Sequence, residues 1–283
     1  MTTTAQRPRT RTRRFEIGWE VIVATVIIAV IAVAGLIVWL LPGLDSYATT
    51  ADPFLSPSAQ HLLGTDNIGR DSFTRLASAS LTSLLISLSA TVIAGVIGVT
   101  VGFTAAYLEG PVASVIMRFV DVGLAIPGIL LALTIRVILG AGTPTLILSL
   151  GVLFAPSIAR IAYGAAHEIR HRAYVQAAEL DNVSGVTIVV RHLLPNAATP
   201  VSVQLAATAA AAVALEAALS YLGQGIQPPN PSIGQMVQEF GQYIQSAPLL
   251  FVGPIISLVL MSVAWNLLSD GLRRGANARS IRE

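Results

Sequence analysis

The chain contains no cysteine and no lysine, and charge of either sign is scarce. Without cysteine there are no disulfides, no thiolate metal ligands and no thiol nucleophile. Without lysine there is no phosphate-binding loop of the Gly-Lys-Ser/Thr kind, whose lysine holds the nucleotide phosphates. Charged residues make up 11% of the 283 and hydrophobic residues 54%, against about 25% charged in soluble domains; mean hydropathy is +0.72. This composition predicts a multi-pass, all-α membrane protein.

A helix needs roughly 20 apolar residues to cross the hydrocarbon core. Residues 21–41 meet this without a charge. They follow an Arg-rich segment, 1–20, but the run exceeds the roughly 7–15 residues of a signal peptide, so an uncleaved first span is expected. Further spans are expected at 81–107, 119–139, 143–161, 197–222 and 249–268, making six. The remaining divisions are an extracytoplasmic segment at 42–80, a core over 81–272 and a tail at 273–283.

All 17 basic residues are arginine. Basic residues are retained on the cytoplasmic side, and placing both termini there leaves Arg70, Arg75 and Arg136 outside. Arg7, Arg9, Arg11, Arg13, Arg14, Arg118, Arg160, Arg170, Arg172, Arg191, Arg273, Arg274, Arg279 and Arg282 then lie inside. The N-terminal arginines read as topology signals, and no nucleic acid is expected as a partner.

Between two apolar runs lies a polar cytoplasmic loop, 164–196, containing RAYVQAAELDNVSGVTIVVRHLLPN at 172–196. Tyr174, Ala177, Ala178 and Asp181 recur at helical spacing, and small alanines permit close approach of another backbone. The Tyr-Val-x-Ala-Ala run, followed about twenty residues later by Leu-Leu-Pro-Asn, predicts a helix, a turn and a second short helix. The segment resembles the "EAA" coupling loop of ABC importer permeases. HLLGTDNIGRDSFTRL at 61–76, RFVDVGLAIPGILLAL at 118–133, LSYLGQGIQPPNPSIGQM at 219–236 and WNLLSDGLR at 265–273 extend the resemblance from about His61 to Arg274. The family is that of the dipeptide, oligopeptide and nickel importer permeases, and the chain is similar to its second, shorter type. It departs from the pattern at Gln176, where the family has Glu, at Asn182, where it has Gly, and at Leu81, where Arg is frequent. Asn tolerates the left-handed backbone such a turn requires.

The resemblance implies a six-span permease of type I fold in a bacterial cytoplasmic membrane, with no catalytic residue, metal or cofactor of its own. Implied partners are a homologous second permease, two ATPase subunits or domains that bind ATP and Mg, an extracytoplasmic solute-binding protein and the lipid bilayer. The implied ATPase-coupling residues are Tyr174, Val175, Gln176, Ala177, Ala178, Glu179, Asn182, Leu194 and Pro195. Di- or oligopeptides are the expected cargo, with nickel or another small solute as the alternative.

His167-Glu168-Ile169-Arg170-His171 also spells H-E-x-x-H, which on a helix places two histidines on one face with a glutamate to serve as general base. A membrane zinc metalloprotease, with Asp270 as third ligand, is the reading from another class; His61 and His192 are expected on opposite sides of the membrane and do not contribute. Within the spans, Glu216 is expected to line the pathway, pair with the other permease, or serve packing in neutral form. Arg118 and Asp121 are expected to pair locally, Arg136 to snorkel to water, and Pro127 to kink its span. The loop 224–246 is expected to carry a helix near Met236 to Tyr243, as a docking surface, gate or re-entrant hairpin.

Overall fold

The computed structural model describes residues 18–280 apart from 42 and 50, with side chains described to 275. Among the described residues there is no strand, only the isolated bridges Thr49 to Arg70 and Thr65 to Asp71. The helices are α1 (Trp19–Leu40), α2 (Ser72–Leu108), α3 (Gly110–Ala125), α4 (Gly128–Leu139), α5 (Thr143–Arg170), α6 (Ala173–Leu180), α7 (Gly185–Ile188), α8 (Leu194–Tyr221), α9 (Ile233–Phe240) and α10 (Pro248–Ser280). Five helical segments are long and apolar enough to cross a membrane: α1, α2, α5, α7 running through a π-helical turn into α8, and α10. The bent pair α3 and α4 passes the same test only when taken together, and makes a sixth candidate if it is one span.

Several helices extend beyond the predicted spans. α2 begins at Ser72, inside the segment expected to be extracytoplasmic, because Asp71 caps it by accepting the Thr74 N–H at 2.8 Å. Its 37 residues reach roughly 55 Å at ~1.5 Å per residue, well beyond the roughly 30 Å of the hydrocarbon core. α5 likewise runs to Arg170, so the loop expected from residue 164 starts as a continuation of the fourth span.

The third crossing is not one helix. Ile126 takes an extended conformation ahead of Pro127, which starts α4, and the two short helices meet at 94°. Clash with the proline ring disfavours the helical conformation of the preceding residue, so the kink expected at Pro127 is a full break. Two local readings also change. Asp121 pairs with Arg160 of α5 at 2.9 Å, not with Arg118, since α3 packs on α5. Arg136 does not reach water: it is 2% exposed and donates to the carbonyls of Gly142 and Gly225 at 3.1 and 3.0 Å, which replace solvent.

The most extensive helix packing is between α2 and α5. Gly98 and Gly102 of α2, four apart, lie against the backbone of α5. A Cβ at Gly98 would come within 2.7 Å of the Ala155 carbonyl oxygen, and one at Gly102 within 2.5 Å of that of Ala159. Small residues spaced this way allow helix backbones to approach in lipid, where packing rather than water exclusion drives association. At one end of the bundle Arg274 donates to Glu20, joining the end of α10 to the start of α1. The basic residues expected at 7–14, with Arg279 and Arg282, fall outside the described side chains.

Gly102→Leu is expected to force α2 and α5 apart, since overpacking costs about 1–3 kcal/mol even where neighbours can shift and here the obstacle is backbone. The apparent melting temperature of the purified protein should fall clearly, while Gly164→Ala, where the added Cβ meets open space, should lose far less. Equal melting temperatures for wild type and Gly102→Leu would rule out this contact as the brace.

Candidate functional site

The loop between α5 and α8 folds as a helix, a turn and a second short helix. α5 ends at Arg170, α6 follows after His171 and Arg172, and the chain reverses at Asn182, whose φ of 56° places it in the left-handed region. The Asn182 N–H donates to the Glu179 carbonyl at 3.1 Å and that of Val183 to the Ala178 carbonyl at 3.1 Å, closing the end of α6. Ser184 then caps α7 by accepting the Thr187 N–H.

The underside of this loop is fixed. Val175, Ile188 and Leu193 are buried with Phe103, Ala166 and Ile169. Gly185 sits on the Tyr107 ring, where a Cβ would come within 2.4 Å of ring carbon and hydroxyl. Arg170 ties the layers together: it donates to the Ala106 carbonyl at 3.1 Å, pairs with Glu179 at 3.2 Å and stacks over Tyr107 at 4.9 Å.

The upper side is open. Tyr174, Gln176, Ala177, Asn182, Leu194 and Pro195 are exposed, and Ala178 and Glu179 are half-buried. Val175, expected to belong to the coupling set, is fully buried and can act only as an anchor beneath it. Sequence reasoning missed Leu180 and Val186, which flank the Asn182 turn and are 84% and 75% exposed. The available signal was that Leu180 and Val186 stand among the polar residues Glu179, Asp181, Asn182, Ser184 and Thr187.

Glu216 lies inside the described bundle, between α2 and α8. It is fully buried, and its two carboxylate oxygens accept from Ser83 of α2 and Ser220 of α8, each at 2.7 Å. Two hydroxyls thus substitute for water around a group that could not otherwise be buried cheaply. The cavity lies elsewhere, between the break at Ile126 and helices α5 and α8. It measures about 470 Å³ and is lined by Gly123, Leu124, Ile129, Phe154, Ala207 and Leu215, with Ser157, Gln204 and Thr208 as its polar groups. Gln204 donates to Ser157 across it at 3.3 Å.

Residues 98–282, which include the whole loop and most of this cavity wall, match the family described as the binding-protein-dependent transport system inner membrane component. The chain belongs to that family. The permease is 34% identical to the dipeptide transport system permease protein DppC of Alkalihalophilus pseudofirmus, over 81% of this chain and 76% of that one. It is also 34% identical to the glutathione transport system permease protein GsiD of Pectobacterium atrosepticum, over 77% and 72%. Among solved structures it is similar in fold to a chain of the inward-facing MetNI methionine ABC transporter, with a TM-score of 0.59 and 22% identity over 71% of this chain and 95% of that one. The permease is therefore an all-α, multi-pass transport component of the membrane.

The metalloprotease reading does not survive these findings. Asp270 lies on α10 and is not among the groups gathered around the two histidines. Glu168, required as the general base, pairs with Arg172 at 3.1 Å.

At the opposite end of the permease, the segment before α2 is locked to α9. Asp66 is fully buried; its Oδ1 accepts the Ile68 and Arg70 N–H groups at 2.9 Å each, and its Oδ2 accepts from Arg70 Nε and Arg75 Nη1 at 2.6 Å each. Both arginines continue to Glu239, at 3.0 and 3.3 Å. α9 spans Ile233–Phe240 and buries Ile233, Met236 and Phe240, so the helix expected near Met236 is a packed element that starts three residues earlier. Burial pushes the Asp66 carboxyl up, but the backbone N–H groups of Arg70 and Ile68 and the Arg70 guanidinium outweigh it and hold it below its ordinary 3.8.

A depressed carboxyl contributes stability that is present above its unfolded value and lost as pH falls through its folded one. Asp66→Asn should lower the melting temperature at pH 7, since Arg75 then stays buried with only its 3.3 Å contact to Glu239, and breaking a buried pair costs up to about 3–5 kcal/mol. The gap between wild type and variant should stay constant down to pH 5 and narrow below about pH 4. Melting curves across that range check it; a gap unchanged at pH 3 would contradict the assignment.

Proposed function

We propose that this permease forms half of a translocation pathway for di- or oligopeptides and pairs with a homologous second permease. Two ATPase subunits, which bind ATP and Mg, supply the energy, and an extracytoplasmic solute-binding protein delivers the cargo. Both chain termini are cytoplasmic in this reading, which puts the loop between α5 and α8 on the ATPase side. The observation that carries it is the loop itself: an exposed apolar set, Ala177, Leu180 and Val186, on a base held by Val175, Ile188 and Arg170. A rigid knob of this kind transmits displacement of a bound partner to α5 and α8, between which it lies.

Peptide as cargo is supported by the cavity and by the names of the relatives. Its uncharged amide and hydroxyl groups, Gln204, Ser157 and Thr208, can exchange hydrogen bonds with a peptide backbone without selecting a side chain. Selection among peptides then rests with the solute-binding protein.

Leu180→Arg should uncouple the assembled complex. Binding energy at such a contact is concentrated in few residues, each worth about 2 kcal/mol or more, which is roughly 30-fold in affinity. Substrate-stimulated ATPase activity and uptake in liposomes should fall together by at least tenfold at equal assembly; wild-type transport by a correctly assembled Leu180→Arg complex would refute the coupling role. Ala177→Arg should behave alike. Asn182→Gly should be nearly silent, because glycine reaches the same left-handed turn, whereas Asn182→Val should impair uptake, the β-branched side chain being strained at positive φ. Indistinguishable uptake by these two variants would mean that the turn is not held as described.

A further inference from the structure

The two histidines of the H-E-x-x-H pentapeptide are not consumed by the transport function, and they meet a carboxylate from another part of the fold. Glu109 stands at the corner between α2 and α3, with φ of 49°. Its carboxylate and one ring nitrogen from each of His167 and His171 lie within 4.8 Å of one another. We propose that Glu109, His167 and His171 form a site for a divalent transition-metal ion of the zinc type, which fastens the end of α5 to the α2–α3 corner.

The chemistry of the donors fits such an ion. Two imidazoles and a carboxylate are a recurrent zinc set, and around a tetrahedral ion with bonds of about 2.0–2.1 Å the donors stand about 3.4 Å apart. Rotation of exposed side chains closes the difference. His171 is already oriented: its Nδ1 is 2.9 Å from the His167 carbonyl oxygen, which can only accept, so Nδ1 carries the proton. In that tautomer Nε2 carries the lone pair, and it lies 3.6 Å from Glu109 Oε1. A hydrogen bond that fixes the tautomer of a ligating histidine is a regular feature of metal sites. The His167 ring is held by stacking on Tyr163, with centroids 5.5 Å apart and planes at 22°.

Local charge favours a cation despite the nearby arginine. Arg170 Nε lies 3.5 Å from Glu109, but the same nitrogen is 3.2 Å from Glu179, so one guanidinium serves two carboxylates. Arg172 is occupied by Glu168. The cluster therefore keeps one negative charge beside the two imidazoles. Since Glu168 is turned to Arg172, the site binds an ion without the base that hydrolysis would need.

The test titrates zinc chloride alone into the full chain in its assembled complex, by calorimetry, against complexes carrying His171→Ala or Glu109→Gln. Both positions are solvent-accessible, so assembly should be retained. Wild type is expected to bind one equivalent more than either variant, or to bind the corresponding equivalent at least tenfold more tightly, while His192→Ala binds as wild type does. Zinc should raise the apparent melting temperature of wild type more than that of either variant, as expected for a ligand that binds the folded state. Identical isotherms for wild type and both variants would overturn the proposal, as would loss of the same equivalent on His192→Ala. Because the readout is binding and not transport, either result leaves the permease function to be judged separately.

Discussion

The close approach of α2 and α5 is the contact on which the rest of the molecule depends. These two helices run the full depth of the protein, and their backbones touch because Gly98 and Gly102 present no side chain to Ala155 and Ala159. Lipid offers no hydrophobic gain for bringing apolar helices together, so complementarity of surface must do it. With the pair braced, α2 carries the Asp66 network at one end and Glu109 at the other, while α5 carries the coupling loop. α3 and α4 then wrap a broken crossing around the outside of α5, and the cavity opens at the break.

Two ionisable groups buried inside the bundle find their partners within the chain. Glu216 is surrounded by serine hydroxyls from two helices, and Arg136 by carbonyls of two glycine-containing turns. Neither group points into the cavity, whose polar lining is uncharged. The protein therefore uses its few buried charges as internal cross-links between α2, α4 and α8 and leaves the cavity walls neutral. A neutral wall suits a cargo whose charge varies from one molecule to the next.

The coupling loop divides into an anchored layer and an offered layer. Val175 and Ala177 are two positions apart on α6, yet one is sealed against Phe103 and Ile169 while the other is open. Arg170 makes the base stiff by joining α2, through the Ala106 carbonyl, to α6, through Glu179. His167 and His171, one helical turn apart, lie on the same rigid corner, which is why an ion bound there would add a further tie across it.

The composition, the apolar runs and the motif at 172–196 determined the class of this protein, the places of its apolar helices and the position of the loop. Span length and motif spacing are local properties, set by the rise of a helix and the preferences of single residues, and Asn182 took the left-handed turn that its chemistry allowed. Tertiary structure alone decided what each polar group meets. Asp121 found Arg160 rather than its neighbour Arg118, Glu216 found serines, and Arg136 found carbonyls, because the partners come from helices distant in sequence. It likewise decided that Val175 is an anchor and Leu180 an exposed contact, since burial depends on what packs beneath α6. The two histidines of the pentapeptide were legible as a pair, but Glu109 reaches them only because small residues let α2 and α5 lie side by side.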